Sequence, residues 1–158
     1  MPRTIYLIVY NSRLFPAHWS FWIPSLSDPT IGKRIQATGN ALTGFTVAFE
    51  RNYDIEATNR AHELVALTEV DDIYIDDGDS CKGGPESTDT RPIDRLEEVA
   101  LSVPAPGPSL VSSTSAAPRR RAEIKNCQTW LRGVVQKLIE EKMMDGKALD
   151  ILDRAPKN

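Results

Sequence analysis

The sequence predicts a single α+β domain, an antiparallel sheet of about five strands packed against C-terminal helices. Three observations predict it. Runs of β-favouring aliphatic and aromatic residues, then period-two alternation, mark strands in the first half of the chain, and apolar residues recur at intervals of three and four in the last third. Strands followed by helices, with no βαβ alternation, point to segregated elements. A length of 158 residues suits one core and leaves little room for a second. The whole of 1–158 therefore reads as one unit, with flexible loops at about 78–90 and 104–118.

Thr4 to Tyr10 is a run of aliphatic and aromatic residues, and Ala17 to Ile23 is a second that carries Trp19, Phe21 and Trp22. Both compositions favour strands. Ile31 to Thr38 alternates Ile35 and Ala37 against Gln36 and Thr38, and Gly44 to Glu50 repeats the pattern with Phe45, Val47 and Phe49. Gly39-Asn40 between them is a turn signal, so these two form a candidate hairpin. Ile55 to Leu67 reads as weakly helical, and Glu69 to Ile75 as a fifth strand that ends in an acidic turn. Gly, Pro, Ser and Thr fill Ser80 to Thr90, which predicts a surface loop. Pro92 then starts a helix that turns Ile93, Leu96, Val99 and Ala100 inward and stops near Val103. Proline and serine dominate Pro104 to Pro118, the segment with least to anchor it. The clearest helix follows, with Trp130, Leu131, Val134, Leu138 and Ile139 on one face and Asn126 as its N-cap. Lys147 to Leu152 closes the chain as a short helix.

Composition narrows the function classes. With 41% hydrophobic and 26% charged residues the chain has what a globular fold needs. A net charge of -3 supplies no field for nucleic acid or an anionic membrane. The apolar run at Ile5 to Val9 falls far short of the ~20 residues of a membrane span and lacks a signal-peptide pattern, so a cytoplasmic location is expected. Cys81 and Cys127 sit in different surroundings and predict no disulfide framework. Glu69, Asp71, Asp72, Asp76, Asp77 and Asp79 do not keep calcium-loop spacing about Gly78, where Ile73 would stand at the first ligand position. Without a phosphate-binding Gly loop, dinucleotide fingerprint or paired-Cys zinc motif, the expectation is no metal and no cofactor.

Cys127 is the most informative position. An Asn N-cap places its thiol in the first turn of a long helix, where unpaired N–H groups and the helix dipole favour a thiolate. A thiol nucleophile needs a base within hydrogen-bond reach, and only His18 and His62 are available. Alternation puts His18, Ser20 and Trp22 on one face of a strand, so His18 is held on rigid backbone. His62 falls in the weakly helical stretch. Arg119, Arg120 and Arg121 form a basic triplet before the Cys127 helix, suited to a phosphate or carboxylate or to a solvated junction.

Two strings carry a resemblance. Ala17-His18-Trp19-Ser20-Phe21-Trp22-Ile23 resembles the His-bearing strand of the circularly permuted papain-like thiol enzymes, and Asn126-Cys127-Gln128-Thr129-Trp130-Leu131 resembles their nucleophile helix. That superfamily includes the lecithin:retinol acyltransferase-like enzymes, the NlpC-type hydrolases and the PPPDE peptidases. His precedes Cys in its permuted members, as it does here. Gly44-Phe45 followed by Arg51-Asn52-Tyr53-Asp54 is similar to small fungal proteins of this kind. The resemblance implies a permuted papain-like fold and a hydrolase or acyltransferase acting on an amide, ester or thioester of a small molecule or peptide. In the acyltransferase-like branch a second His orients the first. Pairing of the second and third strands puts Gln36 at that place here, with Thr38 a lesser candidate. A glutamine accepts from imidazole N–H but lacks the charge that stabilises imidazolium.

Two other functions fit the same residues. The scaffold could serve as a pocket, with Trp19, Trp22, Phe45 and Trp130 shaping an apolar cleft in which a small molecule of secondary metabolism is cyclised or isomerised without a covalent intermediate. It could equally be a binding module in which those aromatics are only core.

Overall fold

The computed structural model describes residues 1–78, 80, 83–108 and 125–158. Among these residues six strands form one antiparallel sheet: β1 (Pro2–Tyr10), β2 (His18–Pro24), β3 (Ile31–Asn40), β4 (Gly44–Asp54), β5 (His62–Asp71) and β6 (Ser87–Asp89), in spatial order β5-β1-β2-β3-β4-β6. Three α-helices follow among the same residues, α1 (Arg95–Ser102), α2 (Cys127–Glu140) and α3 (Lys147–Arg154). The segregated α+β class is as the composition pattern predicts, with one strand more.

That extra strand, β6, lies in the stretch read as loop. It pairs through only three residues, Phe49↔Asp89 to Arg51↔Ser87, which is too short for alternation to register. A second correction concerns residues 55–67, read as weakly helical, of which His62 onward is β5. Register explains the misreading. Thr4 pairs with Glu69 and Tyr6 with Ala66, so β5 carries one extra residue at a bulge. Leu67 is the sole buried residue of 62–67, so this edge strand shows no apolar alternation of its own. The third correction is the start of α1. Asp94 caps it, its carboxylate accepting from Glu97 N at 2.8 Å, so the helix begins after Pro92 and Ile93, and Ile93 stays 42% exposed.

The β3–β4 hairpin turns where Gly39 and Asn40 predict it. Gly39 has φ +142°, and a Cβ there would stand 2.1 Å from the Gly44 carbonyl oxygen, so only glycine lets the two strands approach. Asn40 Oδ1 then accepts from the backbone N–H groups of Leu42 and Thr43.

Alternation divides the sheet. Ile5, Leu7, Val9, Trp19, Phe21, Ile35 and Phe49 face the helices and bury against Trp130, Leu131, Val134 and Leu138 of α2. The opposite face carries a smaller cluster, Ile8, Tyr10, Trp22 and Tyr53. No helix among the described residues is long and apolar enough to cross a membrane. Cys81, Arg119–Arg121 and positions 109–118 of the Pro104–Pro118 segment lie outside the described residues; within 104–108, Pro106 O accepts from Phe45 N.

Candidate active site

Asn126 begins the site. Its side chain accepts from Gln128 N and Thr129 N, and Thr129 Oγ1 accepts in return from Asn126 N. This capping box fixes the first turn of α2 and sets Cys127 as the first helical residue. It also occupies two N–H groups of that turn, which are thus unavailable as a diffuse anion site.

Cys127 is 6% exposed, and its sulfur is held by backbone. Trp19 N–H donates to Sγ at 3.5 Å and Sγ–H donates to Ala17 O at 3.9 Å. The β2–β3 ladder runs from Pro24↔Gly32 to Phe21↔Ile35. Past Phe21 the backbone of β2 turns its bonds to α2, and the thiol takes up groups that a continuing strand would pair. Cys127 therefore sits against the two residues that flank His18 in the chain.

His18 opens β2 on the face away from the helices. Its Nε2 lies 2.7 Å from Gln36 Oε1 and 3.2 Å from Ser20 Oγ, and Ser20 Oγ–H donates to the same Gln36 oxygen at 2.9 Å. Gln36 is fixed from behind, because its Nε2 donates to Glu50 Oε1 at 2.7 Å. Glu50 in turn receives Arg34 through Nε at 2.8 Å and Nη2 at 2.6 Å. The carboxylate thus holds the amide nitrogen, which leaves Oε1 as the acceptor for the ring. Nε2 of His18 must then carry the proton, and Nδ1 keeps its lone pair. Arg34 Nη1 also donates to Tyr10 Oη at 2.5 Å, and the Tyr10 ring stacks on His18 with centroids 5.7 Å apart.

Burial lowers the His18 pKa below its ordinary value, and Arg60 and Arg34 push the same way, while the hydrogen bond to Gln36 and the charge of Glu50 oppose them. The imidazole is neutral at pH 7 and fit to take a proton. Burial raises the Cys127 pKa; the N–H groups of Trp19, Gln128 and Cys127 and the charge of Arg60 act against it. Both shifts favour the uncharged form, thiol for Cys127 and imidazole for His18. An NMR titration of the His18 ring should give a midpoint under 6.5, and Arg60→Gln should raise it by removing a repelling cation. Because the unfolded ring takes its proton near 6.5 and the folded ring only below it, this residue's contribution to stability falls as the pH drops from above 6.5 through the folded midpoint.

The other expected site residues are distributed across the sheet. Trp19, Phe45 and Trp130 pack with the helix-side core, whereas Trp22 lies on the opposite face beside Tyr53. His62 stands on β5 with Nδ1 2.9 Å from Arg60 O. Among the described residues no group of three His, Cys, Asp or Glu side chains is placed to hold a metal ion. Sequence reasoning missed Tyr10, Arg34, Glu50, Arg60 and Gln128. Three of these follow from strand register: Tyr10 pairs with His18, and Arg34 with Glu50.

A family model described as a family of unknown function, DUF6540, matches residues 5–145. The chain belongs to that family. The matched span of the DUF6540 member runs from β1 through the Cys127 helix and so includes His18, Gln36, Glu50 and Cys127. No curated protein and no solved structure matches it.

Proposed function

We propose that this protein is a thiol hydrolase or acyltransferase of the permuted papain-like kind, acting on the carbonyl of an amide, ester or thioester. The observation that supports the reading most is the His18–Gln36–Glu50 chain, which protonates Nε2 and frees Nδ1 on the residue between the two backbone groups that hold Cys127 Sγ. In the reaction, Sγ–H, which in the resting chain donates to Ala17 O, must turn to His18 Nδ1 and pass its proton there as sulfur attacks the carbonyl carbon. The C–O, C–N or C–S bond to the leaving group breaks, the leaving group takes the proton from His18, and an acyl-thioester remains on Cys127. Water or a second acceptor then releases it with His18 as base. Asn126 occupies the Gln128 and Thr129 N–H groups, so the oxyanion donors in this reading are Cys127 N–H and the Gln128 side-chain amide, whose two N–H groups donate to Ala17 O and Lys157 O until a substrate carbonyl displaces Lys157. Gln36 orients the ring without adding charge.

The test is an activated acyl ester such as 4-nitrophenyl acetate. The expected result is a burst of nitrophenol with one acetyl group on Cys127 by mass spectrometry. A chain that gives no adduct, or acetyl on lysines alone, would refute the reading. Gln36→Ala should slow acylation about fivefold, since an orienting bond to a neutral amide contributes ~1 kcal/mol.

A further inference from the structure

The residues after α3 do not trail into solvent. Lys157 O accepts from Ala17 N at 2.8 Å and from Gln128 Nε2 at 3.0 Å. Pro156 O accepts from Trp19 Nε1 at 3.0 Å, and Lys157 Nζ lies 4.8 Å from the centre of the Trp19 ring. Asn158 O accepts from Asn11 Nδ2 at 3.1 Å. Three consecutive carbonyl groups are thus bound, two of them by groups beside the thiol. Ala17 N lies one residue before β2 and Trp19 N within it: the first donates to the segment and the second to the sulfur. Gln128 Nε2 joins them, because it donates to Ala17 O, the same oxygen that accepts Sγ–H. The Lys157 carbonyl therefore sits on the side-chain amide that would otherwise face a substrate carbonyl. An open groove of about 300 Å³ continues from here, lined by Trp19, Gln128, Arg132 and Lys157.

We propose that Ala17 N–H, Trp19 Nε1 and Gln128 Nε2, at the start of β2, form a binding site for an extended polypeptide main chain, and that residues Pro156–Asn158 fill it and restrict access to Cys127. The main-chain carbonyls of the segment supply the recognition, met by one backbone N–H and two side-chain N–H groups. The inference rests on the thiol reading for its catalytic meaning; the binding itself rests on the hydrogen bonds of the segment alone.

The experiment compares the full chain with a variant ending at Ala155. Deletion should raise the rate of Cys127 alkylation by iodoacetamide at pH 7.5 about tenfold, the order expected when bonds of ordinary strength no longer close the site. Acetyl-Ala-Pro-Lys-Asn at millimolar concentration should restore the slow rate and shift the Trp19 indole N–H resonance. Trp19→Phe in the full chain, which removes the anchor to Pro156 O and keeps an aromatic ring, should move alkylation the same way and covers the case in which the shortened chain fails to fold. Unchanged alkylation in the variants that fold would overturn the proposal, as would an increase that the peptide does not reverse, because the segment would then be a structural clip only. Peptide binding is also measured on shortened Cys127→Ser. Binding there without any acyl adduct on the native thiol would leave this inference standing and refute the enzyme reading, whereas acyl transfer without peptide binding would do the reverse.

Discussion

Cys127→Ala and His18→Ala should each remove most of the turnover of an activated ester, His18→Ala by ~10²–10⁴-fold, the range that a positioned base contributes. In the proposed mechanism Cys127 supplies the atom that forms the new bond, and His18, the residue between the two backbone groups that hold its sulfur, supplies the base. The two act in one step, so the double variant should lose little beyond either single one. A noncovalent pocket predicts the opposite, with Cys127→Ala nearly silent. Tryptophan variants cannot separate the two readings here. Trp22 and Trp130 are each 1% exposed, and removal of such a side chain costs ~3–5 kcal/mol through the cavity it leaves, so activity lost on either would report unfolding. Full rates in Cys127→Ala with the circular dichroism spectrum intact would end the covalent mechanism.

Much of this site was legible in the sequence because it depends on local rules. Asn126 before an apolar heptad-like stripe marks a helix start, and His18 in a run of aromatics marks a strand; both follow from a few neighbouring residues. Gln36 was reachable one step further, by assuming that consecutive strands pair. The remaining residues are nonlocal. Glu50 acts on His18 only through Gln36, across two strand pairings, and nothing near Glu50 in the chain distinguishes it from other exposed-face acids. Pro156–Asn158 meets Ala17 across nearly the whole chain, by backbone groups that every residue carries, so no residue type announces the contact. The same limit applies to the fold. β1 to β4 follow from alternation, but β5 was obscured by its bulge and β6 by its length.

Glu97→Ala should destabilise the protein by about 3–5 kcal/mol, the cost of breaking a buried ion pair by removing one partner. Glu97 is 0% exposed and lies between two cations: Arg51 Nη1 donates to its Oε1, and Lys33 Nζ is 3.5 Å from the same atom. Lys33 is 4% exposed and also donates to Asp94 Oδ2 at 2.5 Å. Two carboxylates and two cations thus balance inside the protein, and loss of Glu97 leaves a net positive charge there. It also strips the backbone N–H of Ile93 of the Glu97 Oε2 acceptor it holds at 2.8 Å. Arg51 keeps a side-chain exposure of 17% and has Asp89 3.8 Å away, so solvent and that carboxylate relieve part of its charge and set the expectation at the lower end of the range. The cluster joins β3 and β4 to the start of α1, and the same two strands carry Gln36 and Glu50, so its loss should loosen the frame behind His18 as well. Urea unfolding at constant slope measures the change. The double variant Lys33→Met/Glu97→Leu should lose less than the sum of its single variants, because it removes a cation and an anion together. A Glu97→Ala loss under 1 kcal/mol, or strict additivity in the double variant, would show that these charges are stabilised independently and that the helix is held to the sheet by apolar contact alone.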